Sequence, residues 1–167
     1  VLSALAGQYG AVICPVIVPF LENEQVKCYI NLIENKAYAC NGLEIKEMRL
    51  PVSEEIDNMR SMLLEAIATT DEALMEKYFA GEEFTIEEML TGLAIGVKNG
   101  DLCPVYSGVQ QSGDAVPIMV DNLLQILPSV ADCKYKNADG EETAFDKNGD
   151  PALCVFKTIA DPFVGKL

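Results

Sequence analysis

Val12-Ile13-Cys14-Pro15-Val16-Ile17-Val18 is the run on which the fold turns, because it is rich in β-branched residues and so reads as a strand interrupted by proline. On its upstream side, Val1 to Tyr9 has the character of a helix tail that ends at Gly10. Downstream, Val26 to Ile33 alternates partly and Lys36 to Cys40 continues the β character. Asn41-Gly42 is a type I′ turn pair, expected to join that strand to Leu43 through Leu50. The first third of the chain is therefore a small sheet.

Pro51 closes the sheet and Ser53 is placed to cap a helix with Glu54 and Glu55 in its first turn. Ile56, Met59, Leu63 and Ile67 recur along it at three- and four-residue spacing, which predicts one buried face. Asp71 starts a short second helix through Tyr78, stopped at Gly81, and Thr85-Ile86-Glu87-Glu88 is a capping box that opens a third with Met89, Leu93 and Val97. Asn99-Gly100 ends it. Leu102 to Tyr106 reads as a short buried strand. Asp114 begins a last helix with Val116, Met119, Val120, Leu123, Leu124 and Leu127 on one side, ended by Pro128. From Ser129 to Pro151 the chain is polar, with turn pairs Asp139-Gly140 and Asn148-Gly149, so a linker or an exposed hairpin is expected. The fold class is α/β.

Composition limits the function. The chain has 167 residues, half of them hydrophobic, enough to bury a core. Twelve basic residues against 26 acidic ones give a net charge of −14, which repels phosphate backbones, so no direct nucleic-acid binding is expected of this segment and its partners should be basic or neutral. Six cysteines without a Cys-x-x-Cys pair, and no histidine, point to reduced thiols rather than a zinc site. Ala11 to Phe20 lacks the basic flank of a signal peptide, and no run reaches the roughly 18 apolar residues of a membrane span. A cytoplasmic location is the expectation.

Leu64-Glu65-Ala66-Ile67-Ala68, Asp71-Glu72-Ala73-Leu74-Met75-Glu76-Lys77-Tyr78 and Gly81-Glu82-Glu83, followed in order by Pro104-Val105-Tyr106, Leu127-Pro128-Ser129 and Phe156 through Leu167, resemble the translation elongation factor G and elongation factor G-like GTPase family. The likeness covers Val1 to Ser129 and Leu153 to Leu167. It implies a P-loop GTPase domain carrying an inserted α+β subdomain with a small sheet and three helices. The boundaries it suggests are 1–13 for the end of the GTPase core, 14–101 for the inserted subdomain, 102–129 for the last strand and helix of the core, 130–152 for a linker and 153–167 for the start of a β-barrel. The closing run with Leu153, Val155, Ile159 and its Val164-Gly165 turn is then a barrel-entry strand whose partners lie past Leu167, and the chain reads as a fragment.

The resemblance also implies GTP and magnesium in the parent protein and none for this segment alone. Gly165-Lys166 is followed by Leu167 and has Ala160 where a phosphate loop needs its first glycine, and Asn35-Lys36 has Tyr38 in place of the base-reading aspartate. Asp146-Lys147-Asn148-Gly149 matches a magnesium-site pattern formally but lies in polar sequence, where a turn is expected. As a calcium loop it fails at Pro151 and Lys157. One nucleotide-contacting loop is retained in register: Ser107, Gly108, Val109 and Gln110, where relatives carry Gly-Ser-Ala and use main-chain amides to read the guanine carbonyl oxygen. The departure resembles elongation factor G-like paralogues, and a plain strand-to-helix connection is the alternative.

No catalytic residue or metal ligand is expected here. Glu65, Asp71 and Glu72, with Glu54, Glu55 and Glu76, form either a solvated acidic face or, as the resemblance implies, the contact with the ribosomal large-subunit stalk protein through which phosphate release is coupled to ribosome movement. The expected function is that of a fragment of a ribosome-dependent GTPase promoting translocation. A non-hydrolysing elongation factor G-like paralogue, or a ribosome-protection protein, is the alternative.

Overall fold

The structure is a computed structural model that describes residues 1–109, 111–130, 134–137, 139–144, 146–149, 157–158, 160–161 and 165–166. Two compact units, Val1–Pro128 and Ser129–Leu167, are taken separately.

In the first unit, helix α1 (Leu2–Tyr9) stops at Gly10, whose φ of 71° suits a residue without a Cβ. Strand β1 (Ile13–Glu22) runs four residues beyond Val18. It continues as a meander through β2 (Gln25–Asn31), β3 (Lys36–Asn41) and β4 (Glu44–Met48). With β5 (Cys103–Tyr106) these make a five-stranded sheet of order β4-β3-β2-β1-β5, antiparallel except for the β1–β5 pair. Successive residues of a strand face opposite sides, so the unbroken burial of Ile13 to Val18 means that β1 is covered on both faces. Pro15, which has no amide hydrogen to donate, sits at the register shift in the β1–β5 pairing.

Two turns differ from expectation. The β3–β4 loop is Gly42-Leu43, since Asn41 pairs with Glu44; only Gly42 has positive φ, 63°, which is the glycine-first pattern of a II′ turn rather than I′. The I′ pattern occurs instead at Asn23-Glu24, with φ of 53° and 63°, between the paired Glu22 and Gln25. The strand expected to be buried from Leu102 to Tyr106 starts at Cys103, and only Leu102 is buried. As the sheet's edge, β5 leaves Cys103 exposed and its other residues half-buried.

Helix α2 (Glu54–Ala68) buries Ile56, Leu63 and Ile67 against the sheet, as their spacing predicts. Ser53 stands at its N-cap position, but its side chain makes no capping bond; its carbonyl accepts from Ile56 and Asp57 instead. Helix α3 (Glu72–Phe79) is capped by Asp71, and α4 (Ile86–Asn99) by the expected Thr85–Glu88 box, with Gly100 left-handed at its end. These helices are not a bundle of their own. Helix α2 packs on β1, and α4 packs on α2, β5 and the last helix.

That last helix, α5 (Val116–Ile126), begins two residues after Asp114 and corrects the expected apolar face. Its buried stripe is Ile118, Asn122 and Ile126, at four-residue spacing, while Val120, Leu124 and Leu127 are exposed. An asparagine in the stripe disguised it: Asn122 accepts a hydrogen bond from the Tyr106 hydroxyl at 3.1 Å, which lets an amide sit inside.

The second unit contains an exposed hairpin of β6 (Lys134–Lys136) and β7 (Glu142–Ala144), turning through Gly140 at φ 82°. Asp146 accepts from the Asn148 and Gly149 amides through its carboxylate and carbonyl, so Asp146-Lys147-Asn148-Gly149 is the turn its composition predicts. β8 (Ala160–Asp161) pairs antiparallel with β9 (Gly165–Lys166), placing Gly165 in a strand rather than in the expected Val164-Gly165 turn. The strand expectation on Leu153, Val155 and Ile159 lies outside the described residues. Among the described residues no helix is long and apolar enough to cross a membrane.

Candidate nucleotide loop and partner face

The candidate loop grows out of β5. The Ser107 amide donates to the Ile17 carbonyl at 2.9 Å and so carries the ladder one residue past the strand. Gly108 is required by space, because a Cβ there would lie 2.9 Å from the Asp114 carbonyl oxygen. The Val109 amide donates to that same oxygen at 3.2 Å, and the Gly113 amide returns to the Val109 carbonyl at 2.8 Å. The loop thus closes on itself before Ala115, at φ 63°, leads into α5. Of the four expected contact residues, Gln110 lies outside the described residues, and the amides of Ser107 and Val109 are engaged within the protein. Among the described residues the Gly108 amide has no protein acceptor.

A contact that sequence reading missed reaches this loop. Asp114 Oδ1 accepts from the Gly42 amide at 2.7 Å, although 72 positions separate them. No local pattern signals a bond of that separation.

Glu65 is exposed on α2 and Glu72 in the first turn of α3. Asp71 is also exposed, but its carboxylate accepts from the Ala73 and Leu74 amides at 2.9 and 3.3 Å, so it has a capping role of its own. Nearby on the chain, Lys77 Nζ donates to both oxygens of Glu88 at 2.8 Å and the Thr85 amide to one of them at 2.7 Å. These donors hold the Glu88 carboxyl down to about 2.

Burial, with Cys103 nearby, pushes the Cys14 thiol up to about 12, far from the thiolate needed for nucleophilic or metal chemistry. Cys14, Cys28, Cys40 and Cys103 are all free, and no group of three metal-binding side chains occurs among the described residues. A crevice of about 110 Å³ between the β2–β3 hairpin and α5, with Asn31, Glu34, Tyr38 and Asp121 in its lining, falls below the roughly 300 Å³ at which ligand pockets begin.

No family model matches the chain. It is 31% identical over 172 aligned residues to an elongation factor G-like protein of Thermotoga maritima, covering 100% of this chain and 25% of that protein. A crystal structure of a Thermus thermophilus protein superposes with a TM-score of 0.72 at 31% identity, covering 99% of this chain and 23% of the other. The chain therefore spans about a quarter of the length of the relatives it matches. The mixed α/β fold agrees with the structural match, and the resemblance to the elongation factor G family agrees with both comparisons. This chain is related, from end to end, to one quarter of an elongation factor G-like protein.

Proposed function

We propose that the chain serves as part of a ribosome-dependent translational GTPase of elongation factor G type that promotes translocation during protein synthesis, and that it acts in the cytoplasm. The observation that carries this reading is the identity to an elongation factor G-like protein across the whole chain. In this reading residues 14–101 are the partner-contacting inserted subdomain, 1–13 and 102–129 belong to the GTPase core, 130–152 link, and 153–167 enter a β-barrel. GTP and magnesium are held chiefly by other parts of the longer protein, with Ser107, Gly108, Val109 and Gln110 facing the base. Charge stabilisation around the γ-phosphate is then supplied from elsewhere. The experiment is ribosome-stimulated GTP turnover by the full-length protein. Turnover is expected; its absence removes the hydrolytic reading. The isolated chain is expected not to bind fluorescent GTP at micromolar concentrations.

Glu65, Asp71 and Glu72 are proposed to meet the large-subunit stalk protein. Because Asp71 also caps α3, the informative variant is Glu65→Lys with Glu72→Lys, which leaves the cap intact. A lower ribosome-stimulated rate is expected, and an unchanged rate removes these residues from the interface. A second reading, a non-hydrolysing ribosome-binding paralogue or ribosome-protection protein, is favoured by the loop Ser107-Gly108-Val109, whose Val109 amide is already bound to Asp114.

A further inference from the structure

We propose that Asp114 is a positioning residue that couples the tip of the β3–β4 hairpin to the candidate base-reading loop at Ser107 to Val109; this rests on the reading of that loop as guanine-facing. One residue makes both halves of the link. Its carbonyl oxygen accepts from the Val109 amide at 3.2 Å, and its carboxylate accepts from the Gly42 amide at 2.7 Å, the short distance of a charge-assisted bond. The two segments meet at glycines whose positive φ, 63° at Gly42 and 80° at Gly113, disfavours a side chain. A Cβ on Gly42 would stand 3.1 Å from the Ser112 carbonyl oxygen, and one on Gly113, at φ 80°, would touch Leu43 at 3.5 Å. Hairpin tips ordinarily project into solvent and move independently. This one is tied to the loop, so a partner that shifts the hairpin shifts Val109 through a single intervening residue.

The test is the GDP-over-ADP affinity ratio of the full-length protein, measured by displacement of a fluorescent nucleotide. The ratio isolates reading of the base, since general damage to the fold weakens both nucleotides alike. Asp114→Ala is expected to lower it roughly tenfold, the scale of a lost hydrogen bond to a charged group. Asp114→Asn keeps an acceptor for Gly42 and is expected to stay within about twofold of wild type. A wild-type protein that does not prefer GDP to ADP overturns the guanine-facing reading and this inference with it. A preference that survives Asp114→Ala unchanged, or that Asp114→Asn destroys equally, overturns the coupling alone. Should Asp114→Ala fail to fold, Leu43→Ala at the exposed hairpin tip carries the test: a lowered ratio supports the link and an unchanged one overturns it.

Discussion

Glu88 joins two elements with one carboxylate, accepting from Lys77 of α3 and from the Thr85 amide at the start of α4. Its acid form is disfavoured, so the folded group titrates at about 2 against an ordinary 4.5. The contribution is complete above about pH 4.5 and is lost as the pH falls from there towards 2. Urea midpoints taken from pH 5 to 2 should fall steeply in wild type and less steeply in Glu88→Gln. Glycines give the complementary case. A Cβ on Gly96 would lie 2.5 Å from the Leu102 side chain, so Gly96→Ala should cost about 1–3 kcal/mol by overpacking. Gly7, with nothing within 4 Å and a place inside α1, should gain up to about 1 kcal/mol on conversion to alanine. Denaturant titration of both variants checks the opposite signs. Asp71, Thr85 and Gly100 were legible in the sequence because a cap depends on the next few residues alone. Asp114 was not, because its partner comes from another element.

At the scale of elements, α5 separates composition from placement. The sequence pattern predicts six apolar residues on one side of it, yet Leu124 is 77% exposed and Ile126 1%. Leu124→Gln should change stability by no more than about 0.5 kcal/mol. Ile126→Ala should cost about 2–5 kcal/mol, and Asn122→Ala about 1–3 kcal/mol by stripping the Tyr106 hydroxyl of its partner. Thermal or urea denaturation of the three variants ranks them. Helix α2 is easier to read because its buried positions Ile56, Leu63, Ala66, Ile67 and Ala68 are all apolar, so no polar residue interrupts the pattern. In the hairpins the asparagine-glycine signal identified the right connection but the wrong pair of turn residues, since strand register decides which two residues lie at the tip.

Over the whole molecule, a charge of −14 sets a background that no single pair removes. Self-repulsion among the carboxylates opposes compaction, so raising salt from 20 to 500 mM should raise the melting temperature by screening, as calorimetry can measure. The sequence by itself determined the class of fold, the helices with local caps, the turn at Asp146 to Gly149 and the likeness to elongation factor G-like proteins. Each depends on neighbours in the chain or on patterns written in residue order. Only the tertiary structure decided that β5 pairs with β1, that Asn122 rather than Leu124 faces inward, and that Asp114 holds Gly42. Those outcomes depend on which surfaces meet when distant segments pack, and no local periodicity records that meeting.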